Sequence, residues 1–275
     1  MGEVTLFKGG LPSFLKKRGV DDMTRALAGG GLGMRRISIK GNAFREIVGG
    51  KEYRVSEERA INVFIVKSAE HISRTYYKGT YAEGEAVRPT CWSSDSQRPD
   101  ASVKDKQCDT CLKCPQNIKG SAPNDGRACR FSQRLAVVIE GEVENKEVYQ
   151  LVLPSTSIFG EGAKGKLPLR AYAEFLQREN APMSGVITEM KFDTSSPTPK
   201  LVFRPIRVVV EEEWNAIQEL KDSDDAKKAI ELTVAQTDGV TKEAPKSGFA
   251  KAALPAPAEE EEEAPKPKAK PAPVE

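Results

Sequence analysis

At 275 residues the chain can bury a sizeable core in one large domain or two small ones, and it is too long to be a bare zinc finger. Its 39% hydrophobic and 30% charged residues exclude a wholly disordered chain, and no apolar run approaches the length of a bilayer. The opening MGEVTLFKGG lacks the basic-then-apolar pattern of a secretory leader, so a cytoplasm is the expected compartment and a membrane is not an expected partner.

The formal charge of +2 hides an asymmetry. Residues 1–135 carry 24 basic and 15 acidic side chains, a net of +9, whereas residues 136–240 carry 12 and 18, a net of −6. A basic half favours a polyanionic partner, because Lys and Arg that neutralise phosphates release condensed counterions.

In chain order, residues 1–33 read as a flexible N-terminal segment, closed by the cluster Gly29, Gly30, Gly31 and Gly33. Arg36, Ser38 and Lys40 alternate with Ile37 and Ile39, the period of a strand with one polar face. Phe44 to Val48 and Glu52 to Val55 flank Gly49-Gly50, a hairpin signature. Ile61 to Lys67 is apolar on both faces and predicts a buried central strand, followed by an aromatic-rich strand from Ser73 to Tyr81.

Residues 82–128 have little apolar periodicity and much Pro, Ser, Asp, Gly and Cys; a loop this long needs something to tie it down. Strands are expected again over Arg134 to Gly141 and Glu147 to Pro154, then an amphipathic helix over Leu167 to Asn180. Gly185 to Asp193 and Leu201 to Val210 predict a second long hairpin, and Glu211 to Leu220 a helix with acids in its first turn. The expected fold class is α+β and β-rich, one domain over residues 34–240. Residues 241–275, rich in Pro, Ala, Lys and Glu, read as a disordered tail.

All five cysteines fall within 39 residues: Cys91, Cys108, Cys111, Cys114 and Cys129. Two thiolates spaced two residues apart grip one tetrahedral ion from a tight knuckle, and two more complete a closed structural site. The knuckles Cys108-x-x-Cys111 and Cys111-x-x-Cys114 overlap, so one cysteine is surplus. An iron–sulfur cluster is the rival, but a ferredoxin run would place its next cysteine three residues after Cys114, not fifteen. Disulfide or redox pairing is the other; it conflicts with a reducing compartment and an odd count. The expectation is structural Zn2+ on Cys91, Cys111, Cys114 and Cys129, clipping the insertion at about 82–130.

Catalytic signals are sparse. The sole histidine, His71, lies away from the cysteines, and a closed four-thiolate site leaves zinc no position for water. Gly160 to Lys166 spells most of a phosphate-binding loop, but Leu167 and Pro168 stand where a magnesium-binding hydroxyl is needed. No paired carboxylates stand out, and no enzyme activity is expected.

Proteins that hold single strands without sequence preference combine basic side chains for the phosphates with aromatic faces for the bases. The first half concentrates both. Arg74, Tyr76 and Lys78 would share one strand face, with Tyr77 and Tyr81 on the other. Arg35, Arg36, Lys40, Arg45 and Arg54 lie on preceding strands, and Trp92, Lys119, Arg127, Arg130 and Arg134 on or beside the cysteine loop. The same tyrosines would serve equally as core residues.

The stretches TCWSSD (90–95), CLKCPQNIKGS (111–121), RACRFSQRLAVV (127–138), YQLVLPSTSIFG (149–160) and KLVFRPIR (200–207) resemble a family of tailed-bacteriophage single-stranded-DNA-binding proteins, over roughly residues 34–215. The family's Cys-x-x-Cys-Pro unit matches Cys111 to Pro115, a second reason to set Cys108 aside. The resemblance implies an oligonucleotide-binding (OB)-like barrel with a zinc-clipped insertion, a role in phage replication or recombination in the host bacterial cytoplasm, and an acidic C-terminal tail that recruits replication proteins. This tail departs from that pattern: Lys266, Lys268 and Lys270 follow Glu259 to Glu263, and no aromatic residue ends it. The acidic stretch Glu211 to Asp225 is therefore the other candidate for docking partners. The rival function is a phage transcription regulator that uses its zinc module to grip RNA polymerase; it needs a protein-binding surface rather than a stacking groove.

Overall fold

The computed structural model describes residues 34–79, 88–122, 125–162 and 165–233, all within one unit bounded at Val240. The expected N-terminal segment (1–33), the tail (241–275) and Tyr81 lie outside the described residues.

The fold is mixed α+β and strand-rich. Ten strands are described: β1 (Arg36–Ser38), β2 (Phe44–Val48), β3 (Lys51–Ser56), β4 (Ala60–Ser68), β5 (Ser73–Tyr76), β6 (Cys91–Ser93), β7 (Arg130–Ile139), β8 (Tyr149–Pro154), β9 (Val186–Phe192) and β10 (Leu201–Val208). Eight follow one another across the sheet in the order β10-β9-β4-β7-β8-β1-β2-β3, antiparallel except for β1 beside β8. The helices are α1 (Ser155–Ile158), α2 (Leu169–Arg178), α3 (Glu211–Lys221) and α4 (Asp224–Ile230).

The sheet curls into a half-barrel. Four strands separate β9 from β2, a distance of about 24 Å in a flat sheet. Yet the rings of Phe192 and Phe44 meet with their centroids 4.6 Å apart. The interior is filled from nearly every strand, by Ile37, Phe44, Val63, Ile65, Leu135, Val137, Leu151, Met190 and Phe203 among others. Helix α2 plugs it with Leu169, Tyr172 and Leu176, and the Tyr172 ring stacks on Phe203. The Tyr172 hydroxyl, buried in this core, is satisfied by Thr188 at 2.8 Å.

Opposite residues of β4 and β7, Phe64, Val66, Ala136 and Val138, form a second core under Ile217 and Leu220 of α3 and Ala226 and Ala229 of α4. Because β4 is covered on both faces, its apolar run is continuous rather than alternating. The Gly49-Gly50 corner has φ of 59° and 78°, the left-handed pair that a two-residue hairpin requires.

One difference from the sequence reading and two local features bear on function. The strand from Ser73 stops at Tyr76 because the Lys78 amide turns aside to donate to the Thr90 hydroxyl. The acidic stretch 211–225 builds α3, the helix expected from Glu211, and enters α4. There Glu213 accepts from the Val210 amide at 3.0 Å and pairs with Arg207 at 2.7 Å. The loop at Gly160 leads into α2, with Lys166 lying 3.7 Å from Asp193. No helix among the described residues is long and apolar enough to cross a membrane.

Candidate metal centre and nucleic-acid surface

Strand β7 is longer than any neighbour and carries two partners in tandem on one edge. Its residues 135–139 pair with β4, and Ser132, Phe131 and Arg130 pair with Ser73, Arg74 and Thr75 of β5. The other edge of β5 takes β6, with Tyr76 opposite Cys91 and Arg74 opposite Ser93. The cysteine segment thus grows out of the sheet by hydrogen-bonded pairing.

Beyond β6 the chain holds itself with backbone bonds between distant turns. The Cys111 amide donates to the Gln97 carbonyl at 2.8 Å and the Cys129 amide to the Gln116 carbonyl at 2.8 Å. Within the knuckle, Cys114 N reaches Cys111 O at 3.4 Å, and the Asn117 side-chain amide donates to the same carbonyl at 3.1 Å. Apolar support is thin: Trp92 and Val103 with Cys91, against which Tyr76 and Leu232 pack.

Five cysteines line a single cavity with Arg74, Trp92, Ser93, Pro99 and Gln107. Cys91, Cys111, Cys114 and Cys129 are buried and Cys108 is half-buried; all five thiols are free. Burial pushes the Cys129 thiol up to about 12, opposed by the nearby Arg74 charge and reinforced by the neighbouring thiols. Burial likewise raises Cys91, whose sulfur receives the Gln107 backbone amide. Among the described residues, however, no group of three or more His, Cys, Asp or Glu is drawn close enough to enclose an ion. The donor set fits zinc chemically, since four buried thiols of the preferred kind converge on one cavity beside a buried cation. The sulfurs are not placed as a closed ligand shell.

The predicted DNA contacts divide by location. On the first hairpin the cations are engaged within the fold. Arg35 pairs with Glu147 and Arg45 with Glu52, each at 2.8 Å, and Arg36 and Lys40 are half-buried. Arg54 sits between Glu46 and Glu142, whose hydrogen bonds raise its pKa further. The concavity there is lined by Glu46, Glu58, Glu140 and Glu189 with Arg54, and Arg54, Arg204 and Arg207 already meet three of those carboxylates.

Three further expectations are corrected by burial. Trp92 is 5% exposed and offers no open face to a base; its ring packs in the segment's small core, under the Arg88 guanidinium at 5.5 Å. Arg74 is 7% exposed, over the Phe131 ring. Arg134 is buried, donates to the Ser73 hydroxyl at 2.6 Å, and is pushed down by burial to about 10. Tyr76 is half-buried against Trp92 and Cys91. The Trp92→Ala protein should accordingly lose about 3–5 kcal/mol of stability, measured by urea unfolding, through cavity formation rather than through a lost stacking contact.

What stays outside is Tyr77, Lys78, Lys119, Arg127 and Arg130, with Lys119 3.3 Å from Asp125. Lys78, Arg127 and Arg130 form no ion pair among the described residues. Sequence reasoning passed over Arg88, Arg98, Lys104, Lys106 and Lys113, all exposed on the same segment. Their signal was available, since an irregular loop runs over the surface and presents its charges there. Residues 88–130 hold eight basic and five acidic side chains. Two of the acids, Asp95 and Asp100, are spent on capping the segment's own turns, through Ser93, Gln97 and Ser94.

No protein-family model, no curated protein and no solved structure matches this chain.

Proposed function

We propose that the protein binds single-stranded DNA, largely without sequence preference, on the outward face of the cysteine segment and the adjoining end of β5. A zinc ion on Cys91, Cys111, Cys114 and Cys129 holds that face in shape. One observation carries the reading: exposed cations, of which Lys78, Arg127 and Arg130 form no ion pair among the described residues, and the exposed Tyr77 after β5 lie on the outside of a loop whose interior is four buried thiols. The residues' role is to bind and orient a polyanion, and no chemistry on the strand is invoked. The curled sheet is compatible with an OB-like barrel, though its path of eight strands stays open at β3 and β10. With the motif resemblance, this supports a phage replication or recombination protein acting in the host cytoplasm.

A fluorescently labelled oligo-dT titrated across a salt series tests the proposal. Affinity should fall steeply as salt rises, with a slope of about −0.7 per phosphate neutralised. Tyr77→Ala should cost about 1–3 kcal/mol of binding if the ring stacks on a base. No binding at low salt would refute the reading.

A second reading has its own observation. At the knuckle tip Leu112 is 80% exposed and Ile118 62% exposed, apolar residues suited to a protein partner such as RNA polymerase. Under that reading the Leu112→Ser variant loses a polymerase interaction, whereas under the DNA reading it leaves oligo-dT affinity unchanged.

A further inference from the structure

Arg74 is the least comfortable residue in the described fold. It lies in the strand joining half-barrel to cysteine segment, lines the thiol cavity, and is more than nine-tenths buried. Its contacts are few: Nη1 donates to the Cys111 carbonyl at a long 3.4 Å, and the guanidinium carbon rests 4.2 Å from the Phe131 ring centre. Nε is shut off from solvent with no hydrogen-bond partner, and no carboxylate pairs with the side chain among the described residues. A buried cation with no anion is strongly destabilising, so a fold that keeps one has an anion for it.

We infer that Arg74 is the counter-charge of the thiolate cluster, its guanidinium neutralising part of the excess negative charge that four cysteine thiolates leave on one zinc ion. The inference rests on the zinc reading above. Zinc brings two positive charges and four thiolates bring four negative, leaving a buried dianion that ordinary burial would oppose. The Gln107 backbone amide already donates to the Cys91 sulfur. Arg74 supplies what a neutral donor cannot, a full charge, from the strand that fixes Cys91 through the Tyr76 pairing. It is a positioning and charge-balancing residue, not a ligand.

The test compares full-length wild type with Arg74→Met, which keeps an unbranched stem over Phe131, and Arg74→Lys, which keeps the charge. Zinc affinity is read by competition with a chromophoric chelator. Arg74→Met should bind zinc about 10–100-fold more weakly, and Arg74→Lys should lose less than about tenfold. A second readout separates charge balance from packing. With zinc bound, Arg74→Met should melt below wild type; with zinc stripped, when the segment that covers Arg74 has melted, the two should melt alike, whereas a packing role against Phe131 alone would lower the variant in both states. Equal zinc affinity in the Met and wild-type proteins would overturn the inference while leaving the metal reading intact. A wild-type protein without zinc would overturn the metal reading itself. If Arg74→Met does not fold, Arg74→Gln takes its place, and zinc affinity as high as that of the lysine variant would overturn the charge role.

Discussion

Stripping zinc with a strong chelator should melt residues 88–130 while the half-barrel persists. Structural zinc sites contribute about 10–16 kcal/mol to the folding of small domains, and this segment has little else. Beyond its cysteines it buries Trp92 and Val103, too little to offset ordering some forty residues at about 1 kcal/mol or more each. Hydrogen exchange should show amides of 88–130 losing protection on chelation, with β4, β7 from Leu135 onward, β8 and β9 unchanged. Cys114→Ser should behave as the stripped protein does. Cys108→Ser should keep one zinc per chain, because its sulfur is the least buried of the five. Loss of metal in Cys108→Ser would show that the ligand set was chosen wrongly.

Replacing Lys78, Arg127 and Arg130 together by alanine should weaken oligo-dT binding on the order of a hundredfold at low salt. Each neutralised phosphate releases about 0.7 of a counterion, so the slope of log affinity on log salt should become shallower by about 2. The side chains are exposed and unpaired among the described residues, so the substitutions leave the fold alone, and melting should move by little. A parallel set at Arg35, Arg45 and Arg54 is the control. Those cations already face Glu147, Glu52, Glu46 and Glu142, and their loss should affect stability more than binding. The reverse pattern would move the DNA surface to the first hairpin.

Periodicity located most of the sheet, because each strand's pattern records its own burial. The glycine pair at 49–50 marked its hairpin and the doubly apolar run of β4 marked the sheet's centre. Which face of a mixed strand turns inward was not legible. Arg74 and Tyr76 do share a face, as alternation requires, but the cysteine loop that covers it has no periodicity of its own to show which way it folds back. The same blindness hid the burial of Trp92 and Arg134. Helix α4 was missed although Ser223 caps it and Asp224 and Asp225 open it, because its buried face is only alanine, Ala226 and Ala229. Small side chains give a weak hydrophobic period even where they let a helix approach a sheet closely.

Strand β7 acts as a spar shared by two bodies. Cys129 sits immediately before it, its first three residues pair with β5, which carries β6 of the cysteine segment, and its last five are buried in the sheet's two cores. A continuous strand in that position ties the base of the segment to the sheet. Capture should accordingly proceed close to rigid docking, with a small heat-capacity change on binding.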